Sequence, residues 1–368
     1  MTPTPRRSRG LLVTALTLGL ATALLSGAVG PAAAAPAADR PATRGSDPAH
    51  HGLYGAQDPA YDGVYRQGLS ILALHASGSA VNRSAVRWLV RQQCTNGRWT
   101  SFRPDLTTRC GPGDSNATAM AVMALHAIGH QSAARAGMRW LRDSQRPGGG
   151  WEYSAGWGAD ANSTGLVLQA FLAMGRRPTR VTTGGASGFT FLRALQLDCT
   201  SAAPDRGALD YQPEATPAPN GFATAQAAQA LARTSLPVVP SRTWVAARRP
   251  ACVGGRLGMT TQDAAVGYLA RVLRVNAGAI PAPSGTDPDL GSTANAVLSL
   301  VAAGTARPQV RAAMAVLESH ARSFVVSRGR VLPGAAALVV LAEHATSGDP
   351  HDVDGLDLVR RIGGSITR

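Results

Sequence analysis

The chain has 368 residues, 45% of them hydrophobic and 16% charged, which excludes a disordered tail and allows a sizeable buried core. Its formal charge of +14 rests on arginine alone, because no lysine occurs. An Ala/Gly/Arg-rich composition accounts for that charge without a nucleic-acid partner, and the length permits one large domain or two ordinary ones.

At the N-terminus, Arg6, Arg7 and Arg9 precede an apolar run from Leu11 to Val29 and a small-residue stretch from Pro31 to Pro36. This order predicts a secretory signal peptide over 1–35, cleaved near Ala34 or Ala35 or kept as an anchor. A linker over 36–58 and a single helical domain over 59–368 are expected to follow, in a protein that is secreted or held in the cell envelope. The cysteines agree with export: Cys94, Cys110, Cys199 and Cys252 form an even set. Three pairings are possible. Cys94–Cys110 with Cys199–Cys252 is favoured, since each bond then closes one loop near a helix end. No CxxC pair and no nearby histidine points to metal, and none is expected.

From Leu72 onward the chain repeats itself with a period near 50 residues. The run Leu72–Gly78 recurs as Met123–Gly129, then more weakly as Gln169–Gly175 and Leu298–Gly304, each copy ending in the glycine that closes a helix. Asp114-Ser115-Asn116-Ala117-Thr118 and Asp160-Ala161-Asn162-Ser163-Thr164 open two copies alike, and Asp289 and Thr293 match them later. Asp and Asn there accept hydrogen bonds from orphan N–H groups at a helix start. Ala117 to Leu125 is apolar or small on nearly every side, as a helix buried all round must be. The helices after the early copies are amphipathic instead. Arg83, Arg87 and Arg91 face away from Val86, Leu89 and Val90, while Arg135, Arg139, Arg142 and Arg146 surround Met138 and Leu141. Alternating buried and half-exposed helices predict an all-α open solenoid or a ring with the buried set inside, and the close approach that alanine-rich inner helices allow favours the ring. Six or seven inner helices fit; the stretch 254–283, including a run near Asp263, leaves the number open.

The outer helices carry a motif. Trp88-Leu89, Gln93 and Gly97-Arg98-Trp99 are followed, 52 residues on, by Trp140-Leu141, Gln145 and Gly149-Gly150-Trp151. This pattern resembles the QW motif of the prenyltransferase/squalene oxidase (squalene-hopene cyclase) repeat superfamily. That superfamily includes triterpene cyclases, protein prenyltransferase β subunits and cobalamin carriers of the intrinsic factor and transcobalamin kind. The resemblance implies an (α/α)6 toroid in which Gln and Trp tie the end of an outer helix to the next turn. A third copy, Phe191-Leu192 with Gln196, is broken by a longer loop containing Cys199.

The chemistry of the superfamily's enzymes is harder to find. No Asp-x-Asp-Asp acid occurs; Asp352-Val353-Asp354 reads as a helix-start cap and Asp198-Cys199-Thr200 as a loop. Trp, Tyr and Phe number six each, few enough that a carbocation-steadying cavity is not expected. Cys252 has no Asp or His set for catalytic zinc. No catalytic residue is therefore assigned, and binding is the expected role.

In a ring of parallel inner helices all N-termini open at one mouth. It would gather Asp114, Asn116, Thr118, Asp160, Asn162, Thr164, Thr224, Gln226, Thr293 and Asn295 around a bulky polar ligand or an envelope partner. By resemblance to the cobalamin carriers, a corrinoid is the specific expectation. A terpene cyclase or prenyltransferase with an unfamiliar acid is the alternative. An (α/α)6 glycosidase or lyase using Asp114 and Asp160 is a weaker one. His75 and His126 are expected to serve helix C-termini. Nucleic acid is not expected, because the arginines lie on outer helices without aromatic interleaving.

Overall fold

A computed structural model describes residues 49–368 except Ser284 and Thr286. The leader and residues 36–48 lie outside the described residues.

Six helix pairs follow one another. They are α1 (Gly63–Ala76) with α2 (Arg83–Arg91), α3 (Ser115–Ala127) with α4 (Gln131–Asp143), and α5 (Ala161–Ala173) with α6 (Gly188–Ala194). The second half adds α7 (Gly221–Leu231) with α8 (Thr261–Val275), α9 (Leu290–Ala302) with α10 (Arg307–Ser319) and the short α11 (Ala321–Val325), and α12 (Pro333–Thr346) with α13 (Leu358–Gly364). The first member of each pair packs on the first member of the next, and α12 returns to α1. The described residues form an α/α toroid with six inner helices, decorated by four two-residue hairpins.

The inner helices are alanine-rich and buried on all sides, so that Ala117, Ala119, Ala121 and Ala124 of α3 are fully covered. The outer helices bury one stripe, such as Ala85, Val86, Trp88 and Leu89 of α2. The helix around Asp263 is an outer one, α8. Asp263 sits inside its first turn, where Thr260 caps it, and Arg271 and Arg274 mark its wet face. This settles the count at six.

The toroid begins earlier than residue 59. Leu53 and Tyr54 are fully buried, and residues 52–55 pair with the C-terminal turn through Gly52 N–Thr367 O (3.0 Å), Gly55 N–Ser365 O (3.0 Å) and Thr367 N–Leu53 O (2.8 Å). Ten residues of the expected linker, 49–58, thus close the ring by joining its two ends. Cys94 bonds to Cys110 and Cys199 to Cys252, the favoured pairing. Among the described residues no helix is long and apolar enough to cross a membrane.

Candidate functional site

The repeat places the mouth residues by hydrogen bonds that recur from pair to pair. Gln93 Nε2 donates to the carbonyls of Gly97 (2.9 Å) and Ala133 (3.0 Å), and Gln145 Nε2 to those of Gly149 (2.8 Å) and Val181 (3.2 Å). Trp99 and Trp151 are fully buried, and their indole N–H groups donate to Leu89 O and Leu141 O. The third copy is intact across its insertion: Gln196 Nε2 reaches Gly207 O (3.1 Å) and Thr261 O (2.9 Å), and Leu209 stands where the earlier copies have tryptophan.

A second device anchors that same position. Thr118, Thr164, Thr224 and Thr293 each sit four residues into an inner helix and are fully buried. Their hydroxyls accept the backbone N–H of Trp99 (3.0 Å), Trp151 (2.9 Å), Leu209 (2.8 Å) and Ile280 (2.9 Å). Each threonine is consumed in locking a turn to a helix. The expectation that these four line a ligand site is corrected accordingly.

Two residues beyond the first three anchors the chain reaches the mouth, at Ser101, Tyr153 and Tyr211. Their carbonyls cap the preceding inner helices, accepting from Val64 N (2.9 Å), Ser115 N (2.9 Å) and Ala161 N (2.8 Å). Their side chains are thereby delivered beside the Asp caps. Ser101 Oγ donates to Asp114 Oδ2 (2.8 Å) and lies 3.0 Å from Tyr153 Oη, while Asp114 Oδ1 accepts Ala117 N (2.8 Å). This Asp114–Ser101–Tyr153 chain is part of the wall of an open cleft of about 390 Å³, bordered on the other side by the loop that Cys94–Cys110 closes. Arg103 and Arg98 shape that loop by donating to Leu106, Thr108, Cys110 and Gly111 carbonyls.

The remaining predicted residues have other occupations. Asp160 is buried, with both oxygens taken by Ser163, and it does not line the cleft. An acid/base pair acting with Asp114 there therefore has no second member in Asp160. Asn116 Nδ2 donates to Asn162 Oδ1 (3.2 Å), Asn295 Nδ2 to Gly291 O (3.0 Å), and Gln229 Nε2 to Asn295 Oδ1 (3.4 Å). Gln226 of α7 donates to Tyr65 Oη of α1 (3.4 Å), a bond between helices on opposite sides of the ring. At this level the Tyr65 and Gln226 side chains meet across the axis.

Burial dominates the electrostatics. It pushes Asp114 up to about 6 against the helix-start and Ser101 hydrogen bonds, which favour the charge, and it raises Asp160 to about 6 in the same way. Burial carries Tyr65 and Tyr153 to about 12, with the Asp114 charge adding to both. A raised carboxyl pKa stabilises the fold below the unfolded value of about 3.9 and loses that contribution as pH rises through the folded value. Thermal stability is therefore expected to fall between pH 4 and pH 7, by on the order of 2 kcal/mol per aspartate. Asp114→Asn, which retains a capping oxygen, should flatten this profile and melt higher than the parent at pH 7.5. A lower melt at pH 7.5 would mean that the helix start prefers the charged carboxylate.

Asp198, Asp352 and Asp354 are exposed loop residues, and none of them lines the cleft. His75 and His126 lie in the last turns of α1 and α3, and His126 Nδ1 meets Gln131 Oε1 at 2.9 Å. Among the described residues no three His, Cys, Asp or Glu side chains gather as a metal site. Ser101, Tyr65, Tyr153 and Tyr211 were not singled out from the sequence. Three of them could have been found by extending the motif two residues past its anchor: Trp99-Thr100-Ser101, Trp151-Glu152-Tyr153, Leu209-Asp210-Tyr211.

Residues 50–167 match the family described as squalene-hopene cyclase C-terminal domain. No curated protein sequence matches the chain. Among solved structures, a protein from Actinoplanes is 18% identical over 80% of this chain and 92% of its own, with a TM-score of 0.54. A variant of the type II terpene cyclase MstE from Scytonema, bound to geranylgeranyl dihydroxybenzoate, is 14% identical over 83% and 88% with a TM-score of 0.50. ent-Copalyl diphosphate synthase from Streptomyces platensis is 16% identical over 77% of this chain, which spans 50% of that enzyme, also at 0.50. At these identities the likeness is one of fold. Over residues 50–167, then, the chain is similar to the squalene-hopene cyclase C-terminal domain, and as a whole it shares the fold of these structures, an α/α toroid.

Proposed function

We propose that this chain is an exported, non-catalytic toroid that binds a hydroxyl-rich, sugar-like ligand in the cleft over Asp114. The observation that carries the reading is the Asp114–Ser101–Tyr153 hydrogen-bond chain on an open cleft wall, a set of donors and acceptors matched to ligand hydroxyls. Aromatic faces stand close by. Trp157, 55% exposed, packs edge-on against Tyr153, and Tyr61, 80% exposed, follows the cleft residue Ala60. Exposed rings of this kind suit ligands with one apolar and one polar face. The basic leader and the two disulfides support export. The Tyr65–Gln226 bond across the axis argues against a chamber in which a long prenyl chain could fold. At about 390 Å³ the cleft lies near the lower end of small-molecule sites, about 300–1,000 Å³, and would hold part of a corrinoid at most.

Titration calorimetry of the full chain against N-acetylglucosamine, its oligomers and cobinamide tests this. A saccharide is expected to bind with Kd near ~1 mM or tighter, weakened at least fivefold by Ser101→Ala and by Tyr153→Phe. No saccharide heat at millimolar concentration, or binding that both variants leave unchanged, would overturn the reading. Heat with cobinamide alone would return the corrinoid to first place.

A further inference from the structure

The outer surface of the ring is not uniformly charged. Three neighbouring segments, 83–91 on α2, 131–143 on α4 and 176–193 leading through α6, hold ten arginines against one carboxylate, Asp143, which pairs with Arg142 at the end of α4 (2.8 Å). All ten are exposed. They adjoin: the end of α2 is tied to the start of α4 by Gln93 and Ala133, and the end of α4 to Val181 by Gln145. The side chains of Arg83, Arg87, Arg135 and Arg139 have no hydrogen-bond or ion-pair partner among the described residues. The far side is mixed, with Asp263 on α8, Glu318 on α10 and Asp357 capping α13 among its arginines. Ten arginines against one carboxylate, already paired, make this arc the more one-sidedly cationic face.

The arginines also keep a spacing. Arg83, Arg87 and Arg91 follow one another every four residues, about 6 Å along the helix, and Arg135 and Arg139 repeat the step on α4. A file of fixed cations spread over adjoining helices meets a flexible chain with one negative charge per repeat better than a single compact anion. It offers nothing to bases: on these segments Trp88 and Phe191 are buried, and Trp140 and Phe189 are half-buried. No helix projects from the arc to enter a groove.

We propose that this arc binds a phosphodiester-linked polyol polymer of a cell envelope, lying across α2, α4 and the segment around α6. The arc is separate from the Asp114 cleft, so either proposal can fail without the other.

The test is binding of the full chain to purified poly(glycerol phosphate) between 50 and 300 mM NaCl. Wild type is compared with Arg83→Gln/Arg87→Gln/Arg135→Gln/Arg139→Gln and with the far-side control Arg307→Gln/Arg311→Gln/Arg360→Gln. The arc variant is expected to lose at least tenfold in affinity at 100 mM salt, and its log–log salt slope should fall by about 3, at about 0.7 per contact for a single chain. The control should stay within about twofold of wild type, by the same counterion reasoning. Should the arc variant melt early, the single Arg139→Glu, with an expected loss of about threefold, decides instead. Absence of wild-type binding at 50 mM salt, equal losses in both variants, or equal or tighter binding of duplex DNA of the same charge would overturn the proposal.

Discussion

Trp151→Ala is expected to destabilise the toroid by about 3–5 kcal/mol, the largest loss from any side-chain truncation in the repeat. Three terms add. The indole is fully buried against α5 and Phe171, whose ring centroid lies 6.0 Å away. Its N–H is the donor to Leu141 O at the end of α4 (2.6 Å), which would be left without that partner. Its backbone is pinned by Thr164, so the turn cannot readily collapse into the space left behind. Trp151→Leu should cost less, roughly 1–3 kcal/mol, because Leu209 fills the equivalent place one repeat later with the same threonine anchor. Thermal denaturation with a two-state control measures both. Equal costs for Ala and Leu would mean that the anchor works through its backbone alone.

Gly207→Ala is expected to cost at least about 3 kcal/mol, combining a left-handed backbone with overpacking. Gly207 has φ +87°, and a Cβ there would overlap the Ala264 carbonyl of α8. The close approach recurs at Gly97, Gly149 and Gly278, each with φ above +90°, against a backbone carbonyl of the next outer helix or, at Gly149, of the Ser187 that caps it. Gly185→Ala separates the two causes. Its φ is +78° but nothing lies within 4 Å of the new carbon, so only the conformational cost of about 1–2 kcal/mol should be felt. If the two variants melt alike, the third repeat is not held by this contact.

Much of the ring was legible because its pattern is redundant. Two complete copies of Trp-Leu…Gln…Gly-x-Trp fixed the outer helices, and the all-round apolar run Ala117–Leu125 fixed the inner ones. The third copy reads as broken in the sequence because ten residues separate Gln196 from Gly207 and because leucine replaces tryptophan. Hydrogen bonds to backbone carbonyls tolerate both changes, since they need the glutamine and the turn but not the aromatic. The helix at Asp263 left the number of inner helices open because Ala264–Leu269 is as apolar as an inner helix; half-buried Arg271 and exposed Arg274, further on, mark it as an outer one.

The mouth was legible only in part. Asp114 was found as a helix cap and remains the centre of the cleft. The four threonines share its stretch of sequence yet turn inward, because a side chain one turn into a buried helix meets the neighbouring backbone before it meets solvent. The partners of Asp114, Ser101 and Tyr153, come from other turns of the chain, where only the repeat register relates them.

The central claim is that this toroid works at its mouth and not inside its ring. Gas chromatography with mass spectrometry of the purified chain incubated with squalene or geranylgeranyl diphosphate tests it most directly. No cyclised product above a protein-free blank is the expected result. A cyclised product that disappears with Asp114→Asn would contradict the claim and make the mouth aspartate the acid of a cyclase.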